Sequence, residues 1–244
     1  MRNLKLSIRY NGRAYHGWQV QRNAIAVQQV FQEALAQILP ELPDIKGCSR
    51  TDTGVHANQY VINFKTESQI PCEKFIRALN RYLPDDIAVY ECSEAALDFH
   101  ARYCCKGKQY IYKIWNSPHK NPFMKGLALH YTHPLDEKLM NEVAQQFLGR
   151  HDFSAFCSAN SDVEDRVRTV TLARVEREAE LLTFTVEADG FLYNMVRIMA
   201  GTLLWVAEGK IAANAIASVI QSGERGRAGK TAPPEGLYLN KVFY

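Results

Sequence analysis

The stretch NLKLSIRY, residues 3–10, sets Leu4, Leu6 and Ile8 alternately against polar side chains, the period of a strand with one buried face. KQYIYKIWN, residues 108–116, opens a second series of the same kind in the other half of the chain. What lies between and after decides how the two series are built. AVQQVFQEALAQIL (26–39) puts Val27, Val30, Phe31, Ala34, Leu35 and Ile38 on one helical face, ended before Pro40. NQYVINFKT (58–66) reads as a strand, PCEKFIRALNRYL (71–83) as a helix with Pro71 at its start, and DIAVYECSEA (86–95) as a strand. In the second series DEKLMNEVAQQFLG (136–149) is a helix, followed by the strand pair VRTVTLARVERE (167–178) and ELLTFTVEA (180–188). YNMVRIMAGTLLWVAEG (193–209) is apolar almost all round and predicts a helix buried against a sheet. IAANAIASVIQSG (211–223) is a further helix and GLYLNKVFY (236–244) a closing strand.

Strands come in hairpin-like pairs rather than in a strict β-α-β rhythm. This predicts an α+β fold with a largely antiparallel sheet and helices covering one face. The repeated series predicts two similar halves, 1–105 and 106–244, with no low-complexity linker between them.

The 244 residues suffice for one large domain or two compact halves, and 47% hydrophobic with 23% charged residues is an ordinary globular composition. No apolar run approaches the ~20 residues of a bilayer span, and MRNLKLSIRYNGR lacks the apolar core of a signal peptide. A cytoplasmic protein is expected. The six cysteines include no C-x-x-C pair, so zinc-ligand spacing is absent and reduced, mostly buried thiols are expected.

The net charge of +3 is modest, but its distribution is not even. Met1 to Gln32 contains no acid against Arg2, Lys5, Arg9, Arg13 and Arg22. Phe99 to Leu135 again contains none, against Arg102, Lys106, Lys108, Lys113, Lys120 and Lys125, with His100, Tyr103, Tyr110, Tyr112 and Trp115 interleaved. Solvated faces with acidic partners elsewhere would account for either stretch alone. Two of them in a near-neutral chain point to a polyanion, since phosphates and unstacked bases favour cations mixed with aromatics.

Three motifs point elsewhere and fail. Asp52-Thr53-Gly54 spells the D-T-G of aspartic proteases, but that chemistry shares a proton between two carboxylates and there is no second copy. GERGRAGKT (223–231) has Glu224 where a phosphate loop needs its first glycine, and Thr231 runs into Ala-Pro-Pro instead of a helix. His130 and His133 are followed by Pro134 and have no acids nearby, so a helical metal-ligand pair is not expected.

Asp52 itself stands in CSRTDTGVHA (48–57), with Arg50 two residues before it and Gly54 able to turn sharply. A lone Asp on such a turn is ordinarily a hydrogen-bond acceptor for its own backbone. A nearby guanidinium, however, holds a carboxylate ionised, which suits a nucleophile.

GCSRTDTGVHA resembles the signature of the tRNA pseudouridine synthase A family. YNGRAYHGWQ (10–19), LPDDIAVY (83–90), DFHARY (98–103), KQYIYKIWN (108–116), VRTV (167–170), FLYNMVRIMAGTLL (191–204) and EGLYL (235–239) resemble further blocks in the same order. Asn11, Ser49 and Thr53 depart from the usual Asp, Gly and Ala.

The resemblance implies two ferredoxin-like halves whose sheets join into one platform with a basic cleft, in a homodimer. It implies isomerisation of uridine to pseudouridine at positions 38, 39 and 40 of the tRNA anticodon arm, without metal or cofactor. Asp52 would be the nucleophile, Arg197 its ion-pair partner, and Tyr110 the ring against the target base and a candidate proton acceptor. Arg50 would steady the position vacated by the flipped nucleotide, and Arg13, Lys106, Lys108 and Arg168 would contact phosphates, with His56 and Arg102 also touching RNA. Arg197 also has a physical argument, since a cation in an apolar helix requires a partner. Two other readings stand beside this one: a non-catalytic RNA-binding or RNA-folding protein, and a synthase for another RNA.

Overall fold

Leu4, Leu6 and Ile8 are completely buried, and the strand they define, β1, spans Arg2–Tyr10. The structure, a computed structural model, describes residues 1–159 and 163–244. After β1 come α1 (Val27–Ala36), β2 (Lys46–Gly47), β3 (His56–Thr66), α2 (Cys72–Tyr82) and β4 (Ile87–Ala95). β1 pairs antiparallel with both β3 and β4, and β2 antiparallel with β3, giving the order β4-β1-β3-β2. This β-α-β-β-α-β path is the ferredoxin-like arrangement. Phe75 of α2 sits 6.1 Å from Phe64 of β3, ring to ring, so the helical layer closes on the apolar face of the sheet. Asn80 ties α2 to β4 by two bonds, accepting from Val89 N–H at 2.8 Å and donating to Val89 O at 2.7 Å.

The opposite face is closed differently. Asn3 and Asn63, both buried, hold the segment following β4 across it. Asn3 Nδ2 donates to Ala96 O (2.8 Å) and Phe99 O (3.0 Å), Asn63 Oδ1 accepts from Ala101 N–H (2.7 Å), and the two side chains bond each other at 2.9 Å. A buried amide pair with its groups satisfied fixes one register, because any slip would strand polar atoms.

The second series begins with β5 (Gly107–Asn116) and continues through β6 (Leu129–Tyr131), α3 (Glu137–Ala144), β7 (Gly149–Asp152), β8 (Val167–Glu178), β9 (Leu181–Ala188), α4 (Met195–Ala207) and α5 (Ile216–Ser222) to β10 (Leu237–Phe243). β9 lies between β5 and β8, antiparallel to both, and β7 adds to the outer edge of β8. Asp136 caps α3 by accepting from Lys138 and Leu139 N–H. α4 is buried on nearly every side, as its all-round apolar sequence predicts.

The α+β expectation with largely antiparallel strands therefore holds, with five α-helices among the described residues. Two compact units are formed, Met1–Lys106 with Tyr238–Tyr244, and Gly107–Leu237. The final residues rejoin the first unit along β3. Tyr238 pairs with His56 and stacks on its ring at 4.5 Å, Val242 N–H donates to Gln59 Oε1 at 3.0 Å, and Tyr244 OH donates to Ala101 O at 2.8 Å. Lys5 Nζ lies 4.4 Å from the centre of the Tyr244 ring.

The cysteine expectation needs correction in part. All six are thiols, but only Cys48 and Cys157 are buried. Cys72 in α2, Cys92 in β4 and Cys105 are half-buried, and Cys104 is exposed.

Candidate active site

Asp52 is half-buried on the loop leading into β3, and the segment between β1 and α1 braces that loop. Thr51 Oγ1 bonds Tyr10 OH at 2.8 Å, Thr51 O accepts from Trp18 N–H at 3.2 Å, and Gly54 N–H donates to Tyr15 O at 3.1 Å. Within the loop, Val55 N–H donates to Asp52 O at 3.1 Å, a turn that Gly54 completes with φ +78°. Two glycines make the approach possible: a Cβ at Gly12 would overlap Val55 O, and one at Gly17 would overlap Thr51 O. Gly12 N–H also donates to His56 Nδ1 at 3.1 Å. Trp18 stacks on Tyr60 at 4.2 Å, and Tyr60 OH donates to Ser49 O at the start of the loop. Asp52 thus projects from a backbone fixed on both sides.

The departures at three positions fit this frame. Asn11 Oδ1 accepts from Arg13 N–H at 3.1 Å, a cap that needs only a side-chain oxygen. Thr53 is exposed, so its β-branch turns to solvent rather than into the loop. Ser49 serves the loop through its carbonyl, which any residue supplies.

In the second unit, Tyr110 is buried in β5 and meets Phe191 edge-on, ring centroids 5.0 Å apart. Gly190, the residue before Phe191, gives room to Arg168, whose Nε would stand 3.2 Å from a Cβ there. Tyr110, Phe191 and Arg168 are therefore brought to one place. Arg197, in the first turn of α4, donates from Nε to Ala232 O (2.8 Å) and from a terminal nitrogen to Asn194 Oδ1 (2.7 Å). Its own carbonyl accepts from Ala232 N–H at 3.0 Å, so residues 197 and 232 are tied twice. These two bonds, to a backbone carbonyl and a side-chain amide, fix the direction of the guanidinium.

The segment that resembled a phosphate loop is a strap across α4. Gly229 N–H donates to Thr202 Oγ1 at 2.8 Å, and a Cβ on Gly201 would overlap Lys230 O. Arg225 braces the strap through Gly229 O at 2.9 Å. The motif's glycines serve close packing against a helix.

The remaining candidates fall into two groups. Arg13, Arg50, Arg102 and Lys106 are exposed and Lys108 half-buried, as cations offered to an outside partner would be. His56 is buried, its Nδ1 accepting from Gly12 and its face on Tyr238, which makes it a clasp under the loop. Tyr10, Gly12, Gly17 and Trp18 carry the bracing, and only the spacing of two glycines among aromatics in YNGRAYHGWQ hints at it. Among the described residues, no group of three His, Cys, Asp or Glu could hold a metal ion, and no helix is long and apolar enough to cross a membrane.

Fold and site define a class: an α+β protein with a carboxylate on a braced turn in one unit and an aromatic–arginine cluster in the other. The sequence pattern of the family described as tRNA pseudouridine synthase matches residues 6–104 and 143–244. The chain is 50% identical to tRNA pseudouridine synthase A of Acetivibrio thermocellus over 244 residues, 100% of each chain. It is 47% identical to tRNA pseudouridine synthase A 2 of Clostridium perfringens over 244 residues, again 100% of each. Against tRNA pseudouridine synthase A of Ruminiclostridium cellulolyticum the identity is 45% over 245 residues, also 100% of each. The chain belongs to the tRNA pseudouridine synthase family and is an isomerase that converts uridine to pseudouridine in tRNA.

Proposed function

We propose that this enzyme acts on uridines 38, 39 and 40 of the tRNA anticodon stem-loop, with Asp52 as nucleophile and no cofactor. The observation that carries the reading is the bracing of Asp52: two glycine contacts and three backbone anchors hold this one carboxylate half-exposed, an investment that a merely structural turn does not call for. Rigid presentation is what covalent attack requires, since a misplaced nucleophile loses the advantage of proximity.

In this reading the base leaves C1′ of the ribose, turns, and rejoins through C5. Atoms are conserved, so neither oxidant nor energy source enters. Attack on C1′ and addition to C6 both need an ionised carboxylate, and the Arg197 guanidinium supplies the countercharge. The C5 proton then leaves to Tyr110 or to a water; a free phenol, with a pKa of ~10, needs assistance for this. The target uridine must first be extruded from its stack, at a cost of roughly a few kcal/mol. An aromatic face at Tyr110 and Phe191 and a cation at Arg50 offset that cost, while Arg13, Arg102, Lys106, Lys108 and Arg168 hold phosphates without reading sequence. His56 supports this surface from beneath. The family resemblance supports a cytoplasmic homodimer.

Transcripts tritiated at C5 of uridine test this, because rejoining at C5 must release that hydrogen to water. Wild type should release label from tRNAs carrying a single uridine at 38, 39 or 40, and Asp52→Asn should release none. Release by Asp52→Asn would remove Asp52 as nucleophile. Release only from tRNAs with uridine elsewhere would move the target.

A further inference from the structure

Phe123 is the most exposed large apolar side chain among the described residues, at 86%. It stands in a one-turn 3-10 helix, Pro122–Met124, at the tip of the connection between β5 and β6. A floppy tip would make this unremarkable, as lone exposed apolar residues are common. This tip is braced. Asn121 Oδ1 accepts from Phe123 N–H at 3.0 Å, Met124 O accepts from Leu127 N–H at 2.9 Å and Ala128 N–H at 3.2 Å, and Gly126 turns the chain at φ +74°. At the base, Trp115 Nε1 donates to His119 O at 3.1 Å, and the His130 ring bonds Ser117 O at 2.9 Å.

Lys120 and Lys125 stand on either side of Phe123 in the sequence and both are exposed, within a stretch from Phe99 to Leu135 that contains no acid. A protein interface would want an apolar patch at its core, with roughly 800 Å² per partner. One exposed ring does not provide it. An exposed ring with cations before and after it in the same loop suits a base with its adjacent phosphates.

We propose that this loop is a further tRNA contact, in which Phe123 stacks on one unstacked base and Lys120 and Lys125 take the adjacent phosphates. The proposal rests on tRNA being the substrate and adds a nucleotide contact to the catalytic machinery.

The test uses the full chain as wild type, Phe123→Leu, Phe123→Trp and Lys120→Gln/Lys125→Gln. tRNA affinity would be measured across a salt series, with tritium release at saturating tRNA and sedimentation of each protein. Phe123→Leu should weaken binding about tenfold and Phe123→Trp restore it, with the saturated rate unchanged, because leucine keeps the apolar volume and loses the π face. The double lysine variant should reduce the salt slope by roughly 1.5 to 2. Wild-type affinity in Phe123→Leu, failure of Phe123→Trp to restore it, or a changed oligomeric state would overturn the proposal, the last by marking a protein interface. Wild type that neither binds tRNA nor releases label would remove the substrate reading itself, a result separable from a defect confined to the variants.

Discussion

At Gly12 the chain has room for a hydrogen atom and nothing larger, because Val55 O occupies the space a methyl group would take. Gly12→Ala must therefore push the loop that carries Asp52. Overpacking of this kind costs about 1–3 kcal/mol of stability. The effect on rate should be larger, since displacements near 1 Å cost a bound reactant up to about 100-fold. Thermal melts beside tritium release would separate the two, and a variant with wild-type turnover would mean the bracing is dispensable. Tyr10→Phe, which removes the partner of buried Thr51 Oγ1, should cost about 1 kcal/mol and lower turnover less. Asp52 stands out in the sequence as a candidate because R-T-D lies in an unusual local setting. Its bracing does not, since the contact of residue 12 with residue 55 exists only after two distant loops meet.

The same limit governs the elements. β1, β5, β8, β9, α2 and α4 follow from periodicity because each is long enough to repeat its pattern. β2, β6 and β7 have two, three and four residues, too few for any period to show. α1 stops at Ala36 although its apolar face continues to Ile38, because the next turn tightens and both Ile38 and Leu39 N–H go to Leu35 O. The missing glycine and trailing prolines of GERGRAGKT exclude a phosphate loop, but its packing against α4 depends on residues distant in sequence. The strap's contact with α4 gives a prediction in which two effects oppose. By intrinsic propensity, Gly201→Ala should strengthen the helix by roughly 1 kcal/mol. The overlap with Lys230 O, however, forces apart two backbones, neither of which is a flexible side-chain end. Destabilisation of about 1–2 kcal/mol should win, read as a lower urea midpoint at constant m value. Because residues 197 and 232 are tied twice, the variant should also disturb Arg197 and lower the rate at saturating tRNA. A raised midpoint would show that the strap yields.

For the whole molecule the tyrosines set an alkaline limit. Burial pushes Tyr238 up to about 12. Tyr131 also reaches about 12, by burial first and then by its bond to Glu208. Burial raises Tyr244 and Tyr112 further still, and Tyr90 is raised as well. Tyr15 is raised by burial and by donating to Asp86. In each case the folded chain holds the proton more tightly than the unfolded chain, whose tyrosines ionise near pH ~10. Their contribution to stability is therefore complete below about pH 10 and is lost as pH climbs through the folded values, from about 10 to 12. Both units hold such rings: Tyr238 and Tyr244 fasten the final strand within the first, while Tyr112 donates to Pro233 O in the second. Ionisation should thus loosen both units rather than one. Absorbance at 295 nm and circular dichroism, followed together on raising pH, should show the late tyrosines ionising with the loss of secondary structure. Tyr238→Phe should unfold at higher pH than wild type, because it removes one group whose ionisation drives the transition. Gradual ionisation with the fold intact would mean that these hydroxyls reach solvent without unfolding.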